Sequence, residues 1–229
     1  MIPPEENAAF AAAMEEVLAV YARPPDARFP LVCFDEAGKE LTAHVRPPWP
    51  ARPGQPARED TEYARAGRAN LFLACAPHLG WRQITVTERR TGVDFAHALR
   101  ALVDQAFPTA ERIVLVLDNL NTHRPAALYQ VFAPQEARRI LERIEWHFTP
   151  IHGSWLNIAE LEWSVLTRQC LDRRLPTQEV LAHEVAAWVA TRNRARARVA
   201  WRFTVADART KLAHVYPIPE PDTVALTNY

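Results

Sequence analysis

The spacing of apolar and polar positions along the chain predicts an alternation of helices and strands. Residues 5–22, EENAAFAAAMEEVLAVYA, place Phe10, Met14, Val17, Leu18 and Tyr21 on one side at helical spacing. The prolines of RPPDARFP then end that helix, because proline lacks an N–H and disfavours helix in the residue before it. So Ala-rich a helix, standing ahead of the first strand, is expected to be a linker arm rather than core. PLVCFDE (30–36) reads as an apolar strand ending in two acids, and RPPWPARPGQPARED (46–60) as an extended, solvent-facing loop. ANLFLACAPHLGWRQITVTE (69–88) reads as a β-hairpin turning at PHLG.

Helical spacing returns over 92–107, with Phe95, Leu99, Leu102, Val103 and Phe107 in register. RIVLVLDN (112–119) is a buried strand, 133–144 a helix and EWHFTP (145–150) a short strand. After IHGS, helices are expected over about 155–172, 177–195 and 205–216. The order strand, hairpin, helix, strand, helix, strand, helices implies an α/β fold with a mixed five-stranded sheet and helices on both faces. The division expected is an arm over 1–29, one domain over 30–216 and a Pro-rich tail over 217–229.

Composition narrows the function classes. The 229 residues are 48% hydrophobic and 24% charged, ordinary values for a globular domain. Lys+Arg and Asp+Glu both number 27, so any nucleic-acid surface must be built from local patches rather than overall charge. Cys33, Cys75 and Cys170 lie far apart without metal-site spacing, which argues against a disulfide framework or zinc site and for a reducing cytoplasm. The sequence has neither a membrane-length apolar run nor a signal-peptide pattern.

Candidate chemistry begins with acids at strand ends, because ligands of open α/β sheets gather outside the C-terminal ends of the strands. VCFDE ends on Asp35 and Glu36, and VLVLDN on Asp118. If these strands are neighbours, about 4.8 Å apart, Asp35 and Asp118 can share an ion. Each alone could equally cap a turn. Together, two buried carboxylates repel unless they are protonated or bridged by a cation. The helix WLNIAELEWSVLTRQCL carries Leu156, Ala159, Trp163, Leu166 and Cys170 on its apolar stripe. Glu160 falls about 60° from Trp163, at the stripe's edge, whereas Glu162 falls about 100° away and is expected in solvent. Three convergent carboxylates suit Mg2+ or Mn2+, and a pair of such ions about 4 Å apart is a device for attack on a phosphodiester.

The set FDE, LDN and TPIHGSWLNIAELEW resembles the DDE transposases of the Tc/mariner superfamily, in particular the bacterial insertion-sequence 630 branch. In the third motif, Pro150, Ser154, Leu156, Asn157, Glu160 and Trp163 carry the likeness. It extends over about residues 20–216, with support from GWRQITVTERRTGVDFAHAL, IVLVLDNLNTH and SVLTRQCLDRRLP. The resemblance implies an RNase H-like fold and a catalytic, metal-binding triad of Asp35, Asp118 and Glu160. It further implies two divalent ions, Mg2+ or Mn2+, cleavage of transposon ends, joining of the 3′-OH to a TA-containing target, and a dimer on double-stranded DNA. A bacterial cytoplasmic enzyme, nucleoid-associated when bound, is the matching location.

Two departures stand out. Asp118 and Glu160 are 42 positions apart, more than in the eukaryotic mariner-like branch, and the extra length falls in RPAALYQVFAPQEARRILERI. Nothing in the sequence matches the N-terminal helix-turn-helix region of full-length relatives.

Other residues carry two readings each. Glu36 alternates with Asp35 across the strand, so it is expected to support a ligand or a turn rather than share the ion. Asn119 orders the turn or hydrogen-bonds a ligand or phosphate. His123 and His152 are surface loop residues, or contacts for phosphate and proton transfer. Ser154 and Asn157 belong to the motif loop as ligand-supporting or DNA-contacting candidates. Trp155 either stacks on a base or packs at the helix start. Arg46, Arg52 and Arg58, Arg89 and Arg90, and Arg192, Arg194, Arg196 and Arg198 are either solvated faces or DNA-backbone contacts. Two other classes fit parts of the pattern: a non-catalytic, transposase-derived remnant or inhibitor, and a different RNase H-like nuclease.

Overall fold

The computed structural model describes residues 2, 3, 5, 7–119 and 124–218. His123 and the tail beyond Ile218 fall outside them. Five strands form one sheet: β1 (Leu31–His44), β2 (Tyr63–Ala76), β3 (Trp81–Thr87), β4 (Ile113–Leu117) and β5 (Ile144–Phe148). Their order is β3-β2-β1-β4-β5, with β1 antiparallel to β2 and parallel to β4. The expected mixed sheet is therefore present. β1 and β4 lie at its centre, which is why LVCF and IVLVL are apolar on both faces.

Helices cover both faces. On one lie α2 (Gly92–Ala101), α3 (Ala126–Val131) and α4 (Pro134–Glu142), sealing Val32, Phe34, Phe72, Leu115 and Leu117 beneath Phe95, Leu99, Leu128 and Ile140. Thr91 and Asp94 cap the start of α2 reciprocally, and Pro134 opens α4. The long stretch between β4 and β5 thus becomes a crossover of two helices, of which the sequence pattern separated only the second.

The other face carries α1 (Ala8–Tyr21), α5 (Ala159–Leu166), α6 (Gln178–Arg194) and α7 (Val205–Lys211) over Cys33, Leu71, Leu73, Val114 and Val116. Here the expected arm is corrected. α1 buries Phe10, Met14, Val17, Leu18 and Tyr21 in this core, so its alanines serve close packing rather than an exposed spacer. All three cysteines are buried thiols. No helix among the described residues is long and apolar enough to cross a membrane.

β1 also departs from expectation, for it does not stop at its acids. Its pairing with β4 ends at Phe34 and Leu117, but it continues beside β2 to His44 as a two-stranded ribbon. The side chains of Lys39 and Arg174 and the N–H of Thr42 tie this ribbon to the 171–175 segment and the base of the loop. A bulge beside Leu41 is accommodated at Gly67, whose φ of 109° an L side chain rarely adopts.

Candidate functional site

The register of the central strands brings the first two acids together. Phe34 pairs with Leu117, so Asp35 and Asp118 are the next residues on adjacent parallel strands. β4 ends there while β1 runs on, leaving a step in the sheet at which both carboxylates lie. Asp35 is 9% exposed, and its Oδ1 accepts the Glu36 N–H at 2.9 Å.

The expectation for Glu36 is revised. Candidate ligand atoms of Asp35, Glu36 and Asp118 all lie within 4.8 Å of one another. A regular strand would turn Glu36 away from Asp35, but with β4 ended, the longer glutamate can reach around the open step. Arg90, just before α2, places a guanidinium nitrogen 3.6 Å from the Glu36 carboxylate. A cation at the site was legible only as one of several basic residues.

Glu160 stands in the first turn of α5 with its side chain exposed. It lies outside the 4.8 Å group, yet its charge reaches Asp35. Burial first, then the charge of Asp118, pushes the Asp35 carboxyl up to about 7, with Glu160 and Glu36 adding to the rise and the Glu36 N–H opposing it. Buried, mutually repelling carboxylates with oxygen-only donors fit a hard divalent cation, whose charge removes that repulsion.

The loop into α5 is held from two sides. Asn157, 1% exposed, donates from Nδ2 to the Phe34 carbonyl at 2.9 Å and accepts the Ala159 N–H at 3.1 Å. The Tyr21 hydroxyl donates to the Leu156 carbonyl at 2.7 Å and accepts the Ile158 N–H at 3.3 Å. Consequently the helix expected from 155 starts later, with a tight turn over Ser154–Leu156 and regular helix from Ala159. Trp155 packs edge-on against Phe203, 5.8 Å between centroids, at the border of the core. Ser154, Asn119 and His152 are exposed in the loops at the same sheet edge, His152 with a φ of 66°.

Glu162 is the clearest correction. Instead of facing solvent it is 1% exposed and meets Arg82, also 1% exposed, at 2.8 Å, with Arg192 at 3.2 Å. α6 and β3 close over that flank of α5, which a single-helix stripe cannot reveal. Arg192, half-buried, is thus engaged with Glu162 on this flank of α5.

The remaining arginines divide by position. Arg194 and Arg196 are exposed, but the Arg196 backbone abuts Gly80 and Val199 bonds to Pro77. Since Cys75 pairs with Cys33 near the start of β1, that turn lies at the opposite edge of the sheet from the carboxylates. Arg46, Arg52 and Arg58 are exposed in the loop closing the β1–β2 ribbon, with Arg46 3.4 Å from Asp60. At strand rise, this loop begins roughly 30 Å along the ribbon from Asp35.

A sheet of this order with acids gathered beyond two parallel strands is the RNase H-like arrangement. The chain belongs to the DDE superfamily endonuclease family, whose model matches residues 30–182. No curated protein matches it. Among solved structures it is similar to the Mos1 mariner paired-end complex with Mn, at 18% identity and a TM-score of 0.55, over 86% of this chain and 60% of that one. It is also similar to the Mos1 strand transfer complex, at 18% identity and a TM-score of 0.52, over 83% and 56%. The chain therefore spans about 60% of the length of the structures it matches.

Proposed function

We propose that this chain is the catalytic domain of a Tc/mariner-type DNA transposase, of the insertion-sequence 630 branch, with Asp35, Asp118 and Glu160 as its catalytic carboxylates. The observation that carries the reading is the juxtaposition of Asp35 and Asp118 at the step between β1 and β4, with Glu160 near enough to act on Asp35. The family membership and the likeness to Mos1 complexes support it.

In this reading Asp35, Asp118 and, from α5, Glu160 would hold Mg2+ or Mn2+, as two ions. Such ions, when bound, would supply activation of a water or DNA 3′-OH and neutralisation of charge at the scissile phosphate. The protein's own part is positional. Rigid central strands fix two carboxylates, and a loop pinned by Asn157 and Tyr21 brings in the third. Arg90 lies where it can meet a phosphate, beside Glu36. The substrates are transposon ends and a TA-containing target, engaged by a dimer.

The test is nicking of supercoiled plasmid DNA in Mn2+ or Mg2+. Asp35→Asn, Asp118→Asn and Glu160→Gln are each expected to abolish it while leaving the fold intact. Nicking undiminished in all three would sink the assignment. Preferential cleavage of an RNA–DNA hybrid over duplex DNA would point instead to another RNase H-like nuclease.

A further inference from the structure

Asn157 is a buried polar side chain whose two hydrogen bonds end beside two of the proposed catalytic acids. Its Nδ2 donates to the carbonyl of Phe34, the residue before Asp35. Its Oδ1 accepts the N–H of Ala159, the residue before Glu160. The Glu160 N–H in turn donates to the Asn157 backbone carbonyl at 3.1 Å. Helix α5 thus begins on a carboxamide fastened to β1 one peptide upstream of Asp35.

Few side chains can make both bonds. The site needs a donor toward the strand and an acceptor toward the helix, which a primary amide offers in one plane. Aspartate keeps the acceptor, and is a good helix cap, but when ionised it has nothing to donate to Phe34. Alanine removes both bonds and leaves two backbone groups to find other partners.

We propose that Asn157 is a positioning residue that fixes the separation of Glu160 from Asp35, acting through the backbone of both; this rests on the reading of those two acids as catalytic. Without the bond to Phe34, α5 keeps its fold but is free to shift along the sheet edge. A displacement of about 1 Å at a catalytic group can cost on the order of a hundred-fold in rate.

The experiment compares Asn157→Asp and Asn157→Ala with wild type, Asp35→Asn and the control Leu99→Ala. Leu99 is buried on the opposite face of the sheet, so its truncation reports the effect of lost stability alone. Plasmid nicking is read as kcat and KM for DNA, and Mn2+ binding is followed by its paramagnetic resonance signal. The expected result is a kcat lowered about a hundred-fold in both Asn157 variants with KM within about two-fold, weakened Mn2+ binding, and a Leu99→Ala rate near wild type. An Asn157→Asp variant with wild-type kcat and Mn2+ affinity would show the residue to be a helix cap only and overturn the proposal. A fall in kcat matched by Leu99→Ala at equal loss of Tm would overturn it too. Failure of the underlying reading is seen separately, as nicking that survives in Asp35→Asn.

Discussion

Arg82 on β3 and Glu162 on α5 form an ion pair at 2.8 Å with about one per cent of either side chain exposed. Arg82 also donates to the carbonyls of Gly80 and Ala197, and Arg192 approaches Glu162 from α6. One buried carboxylate therefore locks the helix that bears Glu160 to an edge strand and to α6. Removing Arg82 leaves that charge with only Arg192, so Arg82→Ala is expected to lose about 3–5 kcal/mol. Urea unfolding measures this. A loss under about 1 kcal/mol would mean that water or Arg192 compensates fully.

The carboxyl of Asp35 carries a pH dependence of stability. In the folded chain it holds its proton up to about pH 7, whereas unfolded it releases it near its ordinary value of about 4. Between those values the folded state binds the extra proton, so stability falls as pH rises through the window. The metal-free chain should therefore melt lower at about pH 8 than at about pH 5, and Asp35→Asn should remove part of that fall. Millimolar Mn2+ should raise Tm at the higher pH and do little at the lower. Equal Mn2+ stabilisation at both would contradict the coupling.

Glu36 shares the 4.8 Å group with Asp35 and Asp118. Glu36→Gln is expected to weaken Mn2+ binding by roughly ten-fold, as loss of a neighbouring charged oxygen does at a carboxylate site. Titration of the Mn2+ resonance signal decides it. Binding identical to wild type would remove Glu36 from the ion's ligands and leave it as a partner of Arg90.

Met14 is fully buried where α1 meets the sheet. Met14→Ala should cost about 2–5 kcal/mol in the intact chain. An exposed arm would give almost none. The same urea titration discriminates these outcomes.

Periodicity alone determined much of this protein. A period near 3.6 marked α1, α2, α4 and α6, and the doubly apolar runs marked β1 and β4 as central strands. The acids Asp35 and Asp118 were legible because each interrupts such a run. Those signals are local, written in side chains a few positions apart.

What the tertiary structure decided is long-range. Glu162 and Arg82 are 80 positions apart, and neither reads as buried until β3 and α6 close over α5. β1 outruns β4 by ten residues, which places Glu36 at an open step and carries the Arg46–Arg58 loop away from the carboxylates. Arg194 and Arg196 fall at the opposite edge because α6 runs toward the β2–β3 turn. Which face of an element is covered, and which neighbour ends first, depends on packing partners that no single segment contains.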